Sequence, residues 1–238
     1  MADHVSERSE DASLPGSLPA LRRQHIRFSK QDEEDLPARI DRLRYINPYG
    51  HEIWPVANPK AVAALAASDT VVYSIGSLYT SILPSVVLRG VGSAIVSPGV
   101  RKKVLILNAS IDRETGPSWD PMTATDFVRA LARAGREGIR GPTRRMSKGP
   151  GDKSAVYNRE EVKKQQDEED VDLDRWVTHL LYVEGDGAPK VHVSELEKLG
   201  VKCVKVESRK EMERGGGRIA LRYDEDALAM ALDKIVEE

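Results

Sequence analysis

The chain has little cysteine, no surplus of either charge and no long apolar run. Cys203 is the single cysteine, which excludes an internal disulfide framework and a zinc site built on cysteines. A reduced, cytoplasmic setting is the expectation that follows. Thirty-six Lys and Arg stand against 38 Asp and Glu, for a net charge of -2. Nothing global therefore draws the chain to nucleic acid or to an anionic membrane. No apolar run reaches the roughly 18 residues of a membrane-spanning helix. The opening MADHVSERSEDASLPG is polar and mixed in charge, so neither a secretory signal nor an organellar transit peptide is expected. What is present is ordinary: 40% hydrophobic residues and a mean hydropathy of -0.44. A length of 238 residues suits one large domain or two small ones.

Residues 1–36 show no sustained period and are expected to form a weakly ordered tail. A single α/β domain is expected over 37–238. NPYGHEIWP reads as a structured loop. Asn58-Pro59 reads as a cap and first helical residue before AVAALAAS. TVVYSI is β-branched and continuous, so a strand buried on both faces is predicted. In SLYTSILPSVVLRGVGSAIV, a helical turn, a break near Pro84 and a helix to about Ser97 are predicted. KKVLILNA reads as a second buried strand. A helix is predicted from Thr123 to a stop at Gly135. Residues 136–174 run from basic to acidic and read as a charged, flexible insertion. RWVTHLLYVEG and VKCVKVE supply two more strands, separated by SELEKLG, where Ser194 and Glu197 fit a capping box and Gly200 a stop. GGGRIALRY reads as a glycine turn with a short extended segment, and a last helix starts at Asp224. Strands alternating with helices predict a mostly parallel sheet.

The informative stretch is YSIGSLYTSILP, at the junction of a strand and a helix. In parallel sheets, ligands sit beyond the C-terminal strand ends, near helix N-termini. Gly76 permits close backbone approach, and Ser77, Thr80 and Ser81 add hydroxyl donors without bulk. That set suits a phosphate or nucleoside diphosphate. It equally suits a plain turn at Gly76 with Ser77 as a cap, and spacing alone leaves the two even. Asn108 closes the neighbouring strand, as a ligand contact or an Asx-turn. Of the loop that follows, Arg113 can clamp a phosphate and Glu114 can act as a base, or both can be solvated surface charges. Asn47, Tyr49 and Glu52 are further lining candidates, with Ile53 expected in the core. His51, His179 and His192 form no site by spacing. QDEEDVDLD lacks the glycine and spacing of a calcium loop. RGPTRRMSK has no interleaved aromatics for nucleic acid, and no helix directly follows GGGR.

These blocks have a known counterpart. VVYSIGSLYTSILPSVVLRGVGSAI resembles the signature of the 2-phospho-L-lactate transferase and gluconeogenesis-factor family, also called CofD-like or UPF0052. KKVLILNASIDRET resembles its next block. RLRYINPYGHEIWPVANPKAVAALAASDTVVYS resembles the preceding block in a eukaryotic, fungal-like branch. The likeness spans residues 35–135 and 176–236. It implies a Rossmann-like α/β fold with flanking helices. It further implies a transferase that moves a phospholactyl group from a guanosine diphosphate carrier to an acceptor hydroxyl, with a divalent metal such as magnesium. The related bacterial regulators instead bind a UDP-sugar. By resemblance, Gly76, Ser77, Leu78, Tyr79, Thr80 and Ser81 fall on the nucleotide side, and Asn108, Glu114 and Thr115 in the second block. Arg113 and Glu114 are the catalytic candidates. The expected partners are a GDP- or UDP-linked small molecule and a second copy of the chain, with neither nucleic acid nor membrane. The family's opening Gly-Gly-Gly-Thr-Gly strand and loop, its acidic glycine-rich segment and its Gly-Gln-x-x-Ile-Ser block have no counterpart here. The expected domain therefore lacks the family's first strand, its metal ligands go unassigned, and an inactive fragment is a third reading.

Overall fold

A computed structural model describes residue 16 and residues 35–141, 170–212 and 219–238. Most of the expected tail, the basic RGPTRRMSK stretch and the glycine turn at 215–218 lie outside the described residues.

The NPYGHEI loop is a small hairpin. The Asn47 side chain accepts from the amides of Tyr49 and His51, and this turn pairs β1 (Tyr45–Ile46) antiparallel with β2 (Glu52–Ile53). Ile53 is 40% exposed there, against the expectation of a core position, because the two-residue strand has only Tyr45 opposite it. Helix α1 (Pro59–Ala66) starts as its sequence predicts, with the Asn58 side chain accepting from Lys60 N and Pro59 in the first turn.

The centre is a four-stranded parallel sheet in the order β3-β4-β5-β6: β3 (Thr70–Tyr73), β4 (Lys102–Ile106), β5 (His179–Tyr182) and β6 (Lys202–Lys205). Tyr73 lies beside Leu105, and Leu180 beside Cys203. A mixed α/β fold with a parallel sheet is thus as expected. One face carries the larger core, which includes Tyr73, Leu105 and Leu180 with Phe127, Val128 and Leu131 of helix α4 (Ala124–Arg140). The other face packs Val104, Ile106 and Leu181 against Ala227, Leu228 and Ile235 of the last helix, α6 (Glu225–Glu237). That second layer does not reach β3. Val71 and Tyr73 are buried but Val72 is 42% exposed, so among the described residues the strand expected to be buried on both faces lies at the edge of the sheet, covered on one face.

Four further expectations are corrected. Pro84 breaks nothing: a π-helical turn (Leu78–Ile82) runs straight into α2 (Leu83–Val86), whose first turn tolerates a residue without an N–H. The break comes at Gly90, which has φ +97°, before α3 (Val91–Ile95). Gly135 does not stop α4, which continues to Arg140. A Cβ at Gly135 would stand 1.9 Å from the Trp176 ring, so this glycine admits an indole. The charged segment expected over 136–174 is accordingly helical at its start, and Leu173 near its end is fully buried; 142–169 lie outside the described residues. Helix α5 (Val193–Lys198) begins two residues earlier than a Ser194 cap requires, and His192 precedes it without a side-chain cap bond. The stop at Gly200, with φ +82°, is as expected.

A hairpin of β7 (Ser208–Met212) and β8 (Ile219–Tyr223) precedes α6. Tyr223 is buried, and its hydroxyl lies 2.6 Å from the Leu107 carbonyl and 3.1 Å from that of Leu181, tying this hairpin to the C-terminal ends of β4 and β5. Among the described residues no helix is long and apolar enough to cross a membrane.

Candidate functional site

The two sequence blocks meet at the C-terminal ends of β3 and β4. After Tyr73 the chain passes exposed Ser74 and Ile75 to Gly76, whose N–H donates to the Asn108 side-chain oxygen at 3.3 Å. Asn108 therefore crosses to the neighbouring strand's loop. Gly76 is outside the left-handed backbone region, so its role is steric: a Cβ there would lie 3.2 Å from the Ser81 Cβ. Ser77 holds the N-cap position of the π-helical turn in an extended conformation, and its carbonyl accepts from Ser81 N at 2.9 Å. Its side chain makes no cap bond; the hydroxyl instead donates to the Glu114 carboxylate. The plain-cap reading of Ser77 is thereby replaced by a contact between the blocks. The first amides of such a turn have no acceptor within it.

The remaining candidates divide. Leu78 is fully buried, and Tyr79 is 5% exposed with its hydroxyl donating to the Ile40 carbonyl at 2.9 Å. Burial pushes the Tyr79 phenol up to about 12. Both anchor the turn to the core. Thr80 and Ser81 are exposed. Thr115 is fully buried, and its hydroxyl exchanges hydrogen bonds with Asp112, accepting from that residue's N–H at 3.1 Å. Asp112 Oδ1 also accepts from the amides of Glu114 and Thr115 at 3.0 Å, which caps the 3-10 turn Arg113–Thr115 reciprocally. Thr115 thus builds the loop while Glu114 points from it. Arg113 is exposed and pairs with no carboxylate among the described residues.

Several residues that hold this loop were not singled out in the sequence. Met122 N donates to the Thr115 carbonyl at 2.7 Å, and Ile111 N to that of Gly187 at 2.7 Å. Arg39 reaches Asp120 at 2.7 Å and Asp126 at 3.0 Å, and Asp35 accepts from Ser118. The Asp-x-x-Thr spacing of Asp112 and Thr115 was a readable signal; the partners of Arg39, more than eighty residues away, were not. Asn47 is engaged in its own turn, Tyr49 is exposed, and Glu52 pairs with Arg42 at 2.8 Å. His51 and His192 are exposed. His179 is buried at the opposite end of the sheet, with its Nε2 3.5 Å from Glu238, beyond hydrogen-bond reach.

An uncharacterized protein of Saccharomyces cerevisiae, YNL011C, is 32% identical over 217 residues, which is 89% of this chain and 43% of the yeast protein. Two solved structures of protein BH3568 from Bacillus halodurans, one described as a member of the UPF0052 family, align at 18% and 20% identity. Their TM-scores are 0.48 and 0.47, and the alignments cover 76% and 74% of this chain and 47% of each solved chain. The chain spans less than half the length of these relatives. The family of 2-phospho-L-lactate transferase CofD matches residues 20–207, a span that contains every residue of the junction, and the chain belongs to that family.

Proposed function

We propose that the chain binds a nucleotide-linked phosphoester between the Gly76–Ser81 turn and the Asn108–Thr115 loop, and acts as a phospho-group transferase of the 2-phospho-L-lactate transferase type. The observation that carries this reading is the pair of contacts joining Gly76 to Asn108 and Ser77 to Glu114. They join the turn that carries Ser77 to the loop that carries Glu114 and the exposed Arg113. In that rim Ser77 and the turn amides bind phosphate oxygens, Arg113 neutralises charge that builds on the transferred group, and Glu114 takes the proton of the attacking hydroxyl. Family membership supports the transferase class. The donor is a GDP-linked group: as the acceptor oxygen forms its new bond to phosphorus, the diphosphate P–O bond breaks and GMP leaves.

Magnesium belongs to this proposal. Among the described residues no group of three or more His, Cys, Asp or Glu converges to hold a metal. Glu114 offers one carboxylate, which suits a cation that completes its shell from phosphate and water. Asp112 is engaged in its cap.

A second reading, a nucleotide-sugar-binding regulator without chemistry, is favoured by one observation: the Glu114 carboxylate already accepts from Ser77. Calorimetric titration with GDP and with a UDP-sugar, each with and without magnesium, followed by a turnover assay, separates the readings. Saturable micromolar binding of GDP with product formation supports the transferase; preference for the UDP-sugar without turnover supports the regulator; no binding by folded protein refutes both. Ser77→Asp places a like charge against the phosphate and is expected to weaken binding about tenfold. Unchanged affinity removes Ser77 from the site.

A further inference from the structure

One side chain outside both sequence blocks reaches the end of the Glu114 loop with four hydrogen bonds. The Arg39 guanidinium donates to the Asp120 carbonyl at 3.0 Å, the Asp120 carboxylate at 2.7 Å, the Pro121 carbonyl at 2.9 Å and Asp126 Oδ2 at 3.0 Å. That last oxygen also accepts from the Thr123 amide at 2.8 Å, within the cap of α4. Arg39 therefore joins the exit of the loop to the start of the helix that follows. An isolated surface ion pair contributes little. Here a planar fork serves two backbone carbonyls and two carboxylates at once, which the single nitrogen of a lysine cannot span. From Pro121 the path to Glu114 is short. Met122 N donates to the Thr115 carbonyl at 2.7 Å, Thr115 is bonded to Asp112, and Glu114 stands between those two in the chain.

The next residue holds the opposite wall. The Ile40 carbonyl accepts from the Tyr79 hydroxyl at 2.9 Å, and Tyr79 is buried in the turn that follows Ser77. Two consecutive residues thus grip the turn and the loop. Their segment is itself fixed: Arg42 pairs with Glu52 at 2.8 Å and with Glu137 of α4 at 3.6 Å, and Asp41 accepts from Arg133 at 2.8 Å.

We propose, resting on the phosphate site inferred above, that Arg39 is a positioning residue of that site. It holds the loop so that Glu114 stays beside Ser77, and together with Ile40 it sets the width of the crevice between turn and loop. It acts through the loop rather than on the ligand.

The test is a double-mutant cycle read by calorimetry with GDP in the presence of a chelator. In wild type, Glu114→Gln is expected to raise affinity about fivefold, because it removes the carboxylate held against the phosphate. In an Arg39→Ala background the same change should alter affinity less than about twofold, since the freed loop no longer keeps Glu114 there. Arg39→Lys is the second variant: it keeps the positive charge, loses the fork and should behave as Arg39→Ala does. A role confined to stability would lower the melting temperature and leave the effect of Glu114→Gln intact. A fivefold effect that survives in either background overturns the proposal. If folded wild type does not bind GDP, or Glu114→Gln changes nothing in wild type, the phosphate site falls and the role of Arg39 falls with it. Hydrogen exchange reads the loop without any ligand. In Arg39→Ala the amides of Thr115 and Met122 should exchange faster while those of β4 stay protected, and unchanged exchange rejects the positioning role.

Discussion

Glu114→Gln is the most informative single change at the rim. It keeps the length of the side chain and an oxygen that accepts from Ser77, and it removes one negative charge. A phosphate bound by the Ser77 hydroxyl would share that donor with Glu114, so the two anions would stand about 5 Å apart. Two unit charges at that distance repel by about 0.8 kcal/mol at the dielectric of water and about 3 kcal/mol at an effective value near 20. Glu114 is only partly buried, so the lower part of that interval applies, about 1 kcal/mol or roughly fivefold in affinity. With a chelator present, calorimetry should show the variant binding GDP more tightly than wild type by about this factor, and the gain should shrink as salt is raised. With magnesium the order should reverse, because the carboxylate then helps to hold the cation, and turnover should fall. Equal affinity of the two proteins without metal would refute the placement of phosphate beside Ser77 and Glu114.

Two stability predictions rest on packing and on burial. Gly135→Ala forces a methyl into the Trp176 ring, 1.9 Å from its nearest atom, and should cost about 3 kcal/mol or more, read as a large drop in melting temperature; a drop of a degree or two would mean that the ring can move aside. Burial, then the nearby Lys202, holds the His179 imidazole below its ordinary value. The unfolded chain takes up that proton first, so stability from this group is complete above about pH 6.5 and is lost as pH falls below it toward the lowered native value. Melting followed from pH 8 to 5 should show this slope, and His179→Gln should flatten it; an unchanged slope would assign the effect elsewhere.

The parallel sheet was legible because β3, β4 and β5 hold apolar runs between helix signals, and Asn58 and Asp224 cap helices in the way their side chains favour. The β7 strand was not, since all five of its residues are exposed and nothing alternates. Gly135 read as a stop because its cause, Trp176, lies 41 residues on in a part of the chain that local pattern does not reach. At the rim, the sequence marked Gly76, Ser77, Asn108 and Glu114 as neighbours of a crevice. It did not separate Leu78, Tyr79 and Thr115, which hold the walls, from Thr80, Ser81 and Arg113, which face solvent. Residue type allows either role at those positions, and burial decides between them.

The glycines behind the rim bear on how a ligand is admitted. A Cβ at Gly92 would stand 2.4 Å from the Gly135 carbonyl, and one at Gly138 would stand 3.0 Å from the carbonyls of Val87 and Leu88. Helices α3 and α4 therefore touch backbone to backbone, with no side-chain layer between them to slip or repack. The segment that carries Gly76 to Ser81 is bolted to α4 through this contact. The loop from Asn108 to Pro121 is held by hydrogen bonds and ion pairs along its length, with Ile111 N donating to the Gly187 carbonyl, Thr115 bonded to Asp112 and Asp120 paired with Arg39. Under the proposed function, a ligand meets on one side the turn packed backbone to backbone on α4, and on the other the hydrogen-bonded loop that carries Arg113 and Glu114.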